Sequence, residues 1–235
     1  MLRLTWHPTD QPPLLTADSV HLWRIDSSLS ASFTAQQHWL SEQEQARAAR
    51  LVNPQGRRCF VRTHVACRVI LAHYLKTRPE QIVFAAGQAG KPMLVNPTLP
   101  LEINLSTSGD LALLAISLGE PIGIDCELLR HRVDAVAIAR RMFGAAEVAE
   151  LAALADTRQQ LSRFFEYWTA LEARVKRDGR GLGAHRQPEP ADVIVTHARP
   201  TPDAICALAR RNLPPPSAWH TLCLNGVPAK LYCRI

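Results

Sequence analysis

Glu120-Pro121-Ile122-Gly123-Ile124-Asp125-Cys126-Glu127 joins a break in the chain to a new beginning. The Glu-Pro pair interrupts regular structure, and Ile122 to Glu127 then resumes as a strand. Ahead of the break the pattern runs strand, helix, strand and hairpin. Behind it the pattern runs strand, helix, helix and hairpin. A similar order on both sides predicts an α+β fold of two pseudo-symmetric lobes, each a small antiparallel sheet packed with helices. Their expected extents are 1–120 and 121–235.

Working back from the break, Ile103-Asn104-Leu105 and Leu111 to Ile116 read as strands of a hairpin turned by Ser106-Thr107-Ser108-Gly109-Asp110. Ile82-Val83-Phe84 reads as a short strand and Gly87 to Pro92 as a loop. Arg57 to Lys76 carries an apolar stripe of Val61, Val65, Val69 and Ala72, which predicts a helix that Pro79 ends. Asn53-Pro54-Gln55-Gly56 reads as a turn, and the stretch up to Leu51 as a helix capped by Ser41, with Glu44 three residues on. Val20 to Ile25 is the first expected strand. Working forward, 134–155 reads as helix interrupted near Phe143-Gly144. Leu161 to Arg177 reads as a long amphipathic helix closed at Gly179. The Pro-rich and polar stretch 185–202 is expected to be irregular. Trp219 to Leu224 and Ala229 to Ile235 are expected to form a closing hairpin about Asn225-Gly226.

Composition narrows the function classes. The 235 residues carry 27 Lys+Arg against 21 Asp+Glu, a net charge of +6, and 47% are hydrophobic. Such a chain has too much apolar matter for disorder. Its longest apolar run, Leu111 to Leu118, is far short of a membrane span. The first residues lack the apolar core of a signal peptide, and the six cysteines show neither a C-x-x-C pair nor zinc spacing. Reduced thiols and a cytoplasmic setting are therefore expected. Mild basicity suits nucleic acid, an anionic cofactor or an acidic protein. No basic run or aromatic interleaving supports nucleic acid.

Four motifs carry possible chemistry. Asp125-x-Glu127 on a strand points two carboxylates to one face. They repel unless a cation lies between them, and a hard divalent ion with oxygen ligands answers that need. Glu172 and Lys176 share a helix face at i,i+4 spacing, which in isolation is an ordinary salt bridge. Gly90-Lys91-Pro92 presents a lysine that can meet phosphate as a point charge. The hydroxyls of the Asn104 to Asp110 stretch could donate to phosphate oxygens. Each also occurs as a plain turn or a solvated pair, so the signal lies in their order and spacing.

Taken together, Gly-Lys-Pro, Asn-x-Ser-x-Ser-Gly, Gly-Ile-Asp-x-Glu, Trp-Thr-x-x-Glu-Ala-x-x-Lys and Gly-x-Gly-Leu resemble the 4′-phosphopantetheinyl transferases, in particular the long, monomeric, surfactin-synthetase-type branch. The resemblance covers roughly residues 40–185. It implies a cofactor site between the lobes and transfer of the phosphopantetheine arm of coenzyme A to a serine of an acyl or peptidyl carrier protein. Adenosine 3′,5′-bisphosphate is the implied by-product. It further implies that Asp125, Glu127 and Glu172 hold Mg²⁺, that Glu172 takes the serine proton, and that Lys176 binds the diphosphate. Lys91, Ser106, Thr107, His64 and Arg68 are the positions implied to contact coenzyme A. The helix carrying Arg174 and Arg177, with the Arg180 loop, is implied to meet an acidic carrier protein. A monomer with no nucleic-acid or membrane partner is expected.

Three positions depart from that pattern. Thr107 stands where the family has histidine, Leu171 where a lysine precedes the glutamate, and His64 where the first helix has arginine. Losing a charged hydrogen bond costs about 1.5–3 kcal/mol. These departures leave a second reading open, a catalytically impaired homologue that acts as a carrier-protein-binding module.

Overall fold

The computed structural model describes residues 1–27, 31–130 and 134–224. The strands are β1 (Leu2–Arg3), β2 (His7–Pro8) and β3 (Val20–Asp26), followed by helices α1 (Glu42–Arg50) and α2 (Pro54–Leu75). A small hairpin of β4 (Phe84–Ala86) and β5 (Pro92–Leu94) leads to β6 (Leu101–Ser108), β7 (Leu111–Leu118) and β8 (Ile122–Leu128). Then come α3 (Ala135–Met142), α4 (Ala145–Ala153), α5 (Thr157–Asp178), β9 (Val193–Arg199), β10 (Ala204–Arg211) and β11 (Trp219–Cys223).

The expected two-fold repeat is visible in the strand orders. One sheet runs β2-β11-β3-β7-β6 and the other β1-β9-β10-β8. Within them β3-β7-β6 and β8-β10-β9 are equivalent: a first strand pairs antiparallel with the second strand of a later hairpin. Each sheet carries a 22-residue helix, α2 on one and α5 on the other. The α+β class and the doubled build are therefore as expected.

Four layers result. Trp23, Ile25, Ala112, Leu114 and Ile116 face α2 through Val65, Val69 and Ile70. The opposite faces of the same strands, with Leu22, Leu111, Leu113 and Ala115, pack on Ile122, Ile124, Cys126 and Leu208 of the second sheet. α5 covers that sheet's far side, setting Ala170 and Ala173 on Ala207 and Ala209. β7 is covered on both faces, which is why Leu111 to Leu118 reads as one apolar run rather than an alternation.

Local chemistry sets the helix ends. Ser41 and Glu44 form both halves of a capping box at α1. Asn53 caps α2 by accepting from the Gln55 and Gly56 amides, and Pro54 occupies the first turn. The expected turn at 53–56 is thus a helix start, because proline is favourable where its missing N–H would have no partner. Asp156 caps α5, which begins before the expected Leu161, and Gly179 ends it in the left-handed region at φ 75°.

The second lobe departs from expectation in its strands. Stretch 185–202 holds β9, a β-branched run whose flanking prolines frame it without entering it. β10 carries little strand signal because Ala204, Ala207 and Ala209 interrupt it; the small side chains of Ala207 and Ala209 admit α5. Ile82 to Phe84 slides forward to β4, which pairs with β5 across the Gly87 to Pro92 region. β11 lies parallel between β2 and β3 in the first sheet, and the expected partner strand Ala229 to Ile235 lies outside the described residues. β1 likewise lies parallel to β9 in the second sheet. The sheets are therefore mixed, antiparallel in their repeated strands and parallel at these additions.

Candidate active site

β8 is the edge strand of its sheet, and β6 is the edge strand of the other. The two meet through side chains. Asn104 Oδ1 accepts the Ile124 amide at 2.8 Å, Ser106 Oγ the Cys126 amide at 3.1 Å, and Ser108 Oγ the Leu128 amide at 3.1 Å. Alternate residues of β6 thus satisfy alternate amides of β8, as a backbone ladder would. Each serine, having accepted an amide, turns its own proton to a carboxylate. Ser106 donates to Asp125 Oδ1 at 2.8 Å and Ser108 to Glu127 Oε2 at 2.7 Å. The Asn-x-Ser-x-Ser motif therefore joins the lobes and holds the paired acids.

Asp125 is only 3% exposed. Lys176 Nζ donates to its Oδ1 at 2.6 Å and lies 3.4 Å from Ser106 Oγ. The helix reaches this close because Gly123 has no side chain: a Cβ there would stand 1.9 Å from the Ala173 carbonyl and 2.6 Å from the Arg177 nitrogen. Burial pushes the Asp125 carboxyl above its usual range against the pull of Lys176. Burial lowers the Lys176 ammonium less than Asp125 and Glu172 raise it. Glu172 is also raised, by burial and by the nearby charges of Asp125 and Glu127.

A cavity of about 220 Å³ opens between the lobes, lined by Lys91, Asn104, Leu105, Glu172, Lys176 and Gly181. Through Gly90, Pro92, Asn104 and Leu105 it shares a wall with a second cavity of about 220 Å³ lined by Glu44, Arg47, Phe60, His64 and Phe84. The structure thus brings Lys91, Glu172 and Lys176 to one cleft and His64 to the next, with Ser106 and Asp125 bonded to Lys176.

Other expected residues sit differently. Lys91 Nζ donates to the Arg177 carbonyl at 2.6 Å, capping the end of α5. Thr107 is exposed on the other face of β6 from Ser106. Arg68 is 1% exposed and donates to Glu44 and to the Pro79 and Ile82 carbonyls. His64 stacks on Phe60 and meets the other oxygen of Glu44 at 3.1 Å. Glu44 thus ends a capping box and holds two basic side chains. Burial would raise its pKa, but hydrogen bonds from His64, Arg68 and the Ser41 amide bring it down to about 2. Its capping signal is legible in the sequence; its second role is not. The expected basic carrier face is also internally paired. Arg174 and Arg180 meet Glu189, and Arg177, 5% exposed, meets Asp178.

The donor chemistry suits a hard divalent cation: Glu172 lines the cleft, and Asp125 Oδ2, beside Lys176, is buried with no hydrogen-bond partner. As the side chains stand, Lys176 supplies the counter-charge. Among the described residues no three His, Cys, Asp or Glu side chains are gathered closely enough to enclose an ion.

Residues 121–229 match the model of the 4′-phosphopantetheinyl transferase superfamily. The chain is 40% identical over 191 residues to the 4′-phosphopantetheinyl transferase HetI of Nostoc sp. (strain PCC 7120), spanning 77% of this chain and 78% of that protein. It is 41% identical over 116 residues to AcpT of Escherichia coli (strain K12), 49% of this chain and 56% of the other. With Sfp of Bacillus subtilis (strain 168), identity is 30% over 156 residues, 61% of this chain and 67% of the other. The likeness to HetI runs through most of both chains, and it agrees with the doubled fold and the acid–lysine cleft: the chain belongs to the 4′-phosphopantetheinyl transferase superfamily of enzymes.

Proposed function

We propose that the protein transfers the 4′-phosphopantetheine arm of coenzyme A to a serine of an apo acyl or peptidyl carrier protein, with Mg²⁺, releasing adenosine 3′,5′-bisphosphate. The observation that carries this reading is the Asp125–Lys176 contact of 2.6 Å at an interlobe cleft that Glu172 also lines. Lobes 1–120 and 121–235 would form its walls, each lending a terminal strand to the other. Their length and doubling support the surfactin-synthetase-type branch and a monomer. Free thiols among the described cysteines support a reducing, cytoplasmic setting.

In this reading Asp125, Glu127 and Glu172 hold the metal, which when bound neutralises charge on the diphosphate. Ser106 and Ser108 each bind one oxygen of Asp125 and Glu127, and the second oxygen of each carboxylate would be available to the ion. Lys176 stands beside the leaving phosphate and stabilises its charge in a site already organised for it. Glu172, which lines the cleft beside Lys176, takes the proton of the acceptor serine. Lys91, Ser106, Thr107 and His64 line the path of coenzyme A, with Phe60 and Phe84 offering apolar walls to its base. Arg68 acts through Glu44, which orients His64.

The test is incubation with coenzyme A, Mg²⁺ and a panel of apo carrier proteins, read by intact mass. Addition of the phosphopantetheine mass is expected, and Asp125→Ala or Glu172→Gln should abolish it. If no carrier gains mass and calorimetry shows no binding of coenzyme A with Mg²⁺, the impaired, carrier-binding reading replaces this one; tight coenzyme A binding would exclude it. Turnover by Asp125→Ala would overturn the metal assignment.

A further inference from the structure

Away from the cleft, a cavity of about 920 Å³ collects four arginines: Arg3 of β1, Arg24 of β3, Arg158 in the first turn of α5 and Arg199 at the end of β9. These come from both sheets and from the strand that the chain's first residues add to the second sheet. Leu161 on the cavity wall lies eleven residues before Glu172, about 16 Å along α5 at 1.5 Å per residue. The cavity shares no lining residue with the cleft, although Leu129 on its wall lies only two residues beyond Glu127.

Its charge is largely uncompensated. Arg3 and Arg158 are exposed and have no ion-pair partner among the described residues. Arg24 meets Asp26 at 3.5 Å. Arg199 donates to Ser162 Oγ at 3.2 Å and to the Pro202 carbonyl, both neutral. The acid on the wall, Asp203, is exposed and accepts from Thr201 Oγ1 at 2.6 Å. The floor, in contrast, is apolar. Leu161 is buried, and Trp6 is fixed by its indole N–H on the Pro200 carbonyl at 2.8 Å. Four guanidinium groups around one hollow repel one another unless an anion enters, and their forked donors match carboxylates. Guanidinium groups around an apolar floor suit an acidic segment that also has an apolar face.

We propose that this groove docks an acidic amphipathic segment of the protein substrate, a second contact outside the cleft that would receive the modified serine. The proposal rests on the transferase reading, in that it takes the acceptor to be a protein.

The first test needs neither coenzyme A nor metal. A fluorescent peptide helix with glutamate on one face and leucine on the other is titrated against the full chain at physiological salt. A scrambled peptide of the same composition and a single-stranded RNA are run beside it. The amphipathic peptide should bind about tenfold more tightly than either control, and Arg3→Glu/Arg158→Glu should weaken it about tenfold. Both positions are exposed, so the melting temperature should hold; Arg199→Gln gives an independent check inside the groove. Equal binding by the double variant, or RNA held as tightly as the peptide, would overturn the proposal. The second test measures transfer. The double variant should raise KM for an apo carrier about tenfold with kcat unchanged; an unchanged KM would also overturn it. Absence of transfer with intact peptide binding would instead count against the transferase reading alone.

Discussion

The serines of β6 show how one side chain can serve fold and chemistry together. Ser108 accepts hydrogen bonds from the Leu128 amide and the Arg130 guanidinium and donates one to Glu127. Ser108→Ala should leave these groups without their partner. A metal affinity lower by about tenfold is expected, from a loss of about 1–2 kcal/mol. Mn²⁺ binding followed by paramagnetic resonance checks this, and Ser108→Thr should recover most of it. A second residue-scale prediction concerns His21, which is fully buried. Its Nδ1 lies 2.6 Å from the Tyr74 hydroxyl, whose oxygen also accepts from Trp23, and its Nε2 has no hydrogen-bond partner. Burial, then the charge of His220, lowers its pKa from 6.5 to about 4. The folded state therefore favours the neutral ring. The stability this gives is complete above pH 6.5 and is lost as pH falls toward 4, by up to about 3 kcal/mol. Thermal unfolding midpoints of the wild type should fall across that window more steeply than those of His21→Phe. The sequence displays these residue types but not their partners. Asp-x-Glu could be read as two acids on one face because strand geometry has period two. That Ser106 and Ser108 would hold them depended on a contact between two sheets.

At the scale of elements, the approach of α5 to β8 sets the candidate site. Gly123 is the contact point. Gly123→Ala would place a methyl group 1.9 Å from a backbone oxygen, a clash that no rotamer relieves. Destabilisation of at least about 3 kcal/mol is expected, with loss of transfer at temperatures where the fold survives; denaturant titration and a turnover assay separate the two. The start of α1 and the end of α5 were the most legible, because Ser41, Glu44 and Gly179 act within a few residues of themselves, whereas the caps Asn53 of α2 and Asp156 of α5 were not legible as helix starts. β10 was illegible for the opposite reason. Its alanines answer to Ala170 and Ala173 across a layer, not to any local rule, and β9 was hidden between prolines that stop short of it.

For the molecule as a whole, a doubled build was legible, but the hairpin of the second copy was expected at 219–235 rather than at β9 and β10, and the exchange of ends was not legible. Pairing of β11 with β3, and of β1 with β9, leaves no trace in local pattern, since each is a short run whose partner is nearly a chain length away. Removing residues 1–8 would strip an edge strand from each sheet and the Trp6–Pro200 bond. A lower melting temperature in one cooperative step is expected by calorimetry, since both sheets share the loss. Two separate transitions would show that the sheets melt independently.

The same exchange dictates an order of events during synthesis. Trp6 and Pro200 are 194 positions apart, and β3 cannot gain its outer neighbour until Trp219 has been made. The first half of the chain therefore leaves the ribosome with one flank of its sheet open for nearly the whole of translation. Such distant closures are slow, and an open strand is a site for wrong pairing. Production of this protein should depend on chaperones that shield an unfinished sheet, more than its modest length alone would suggest.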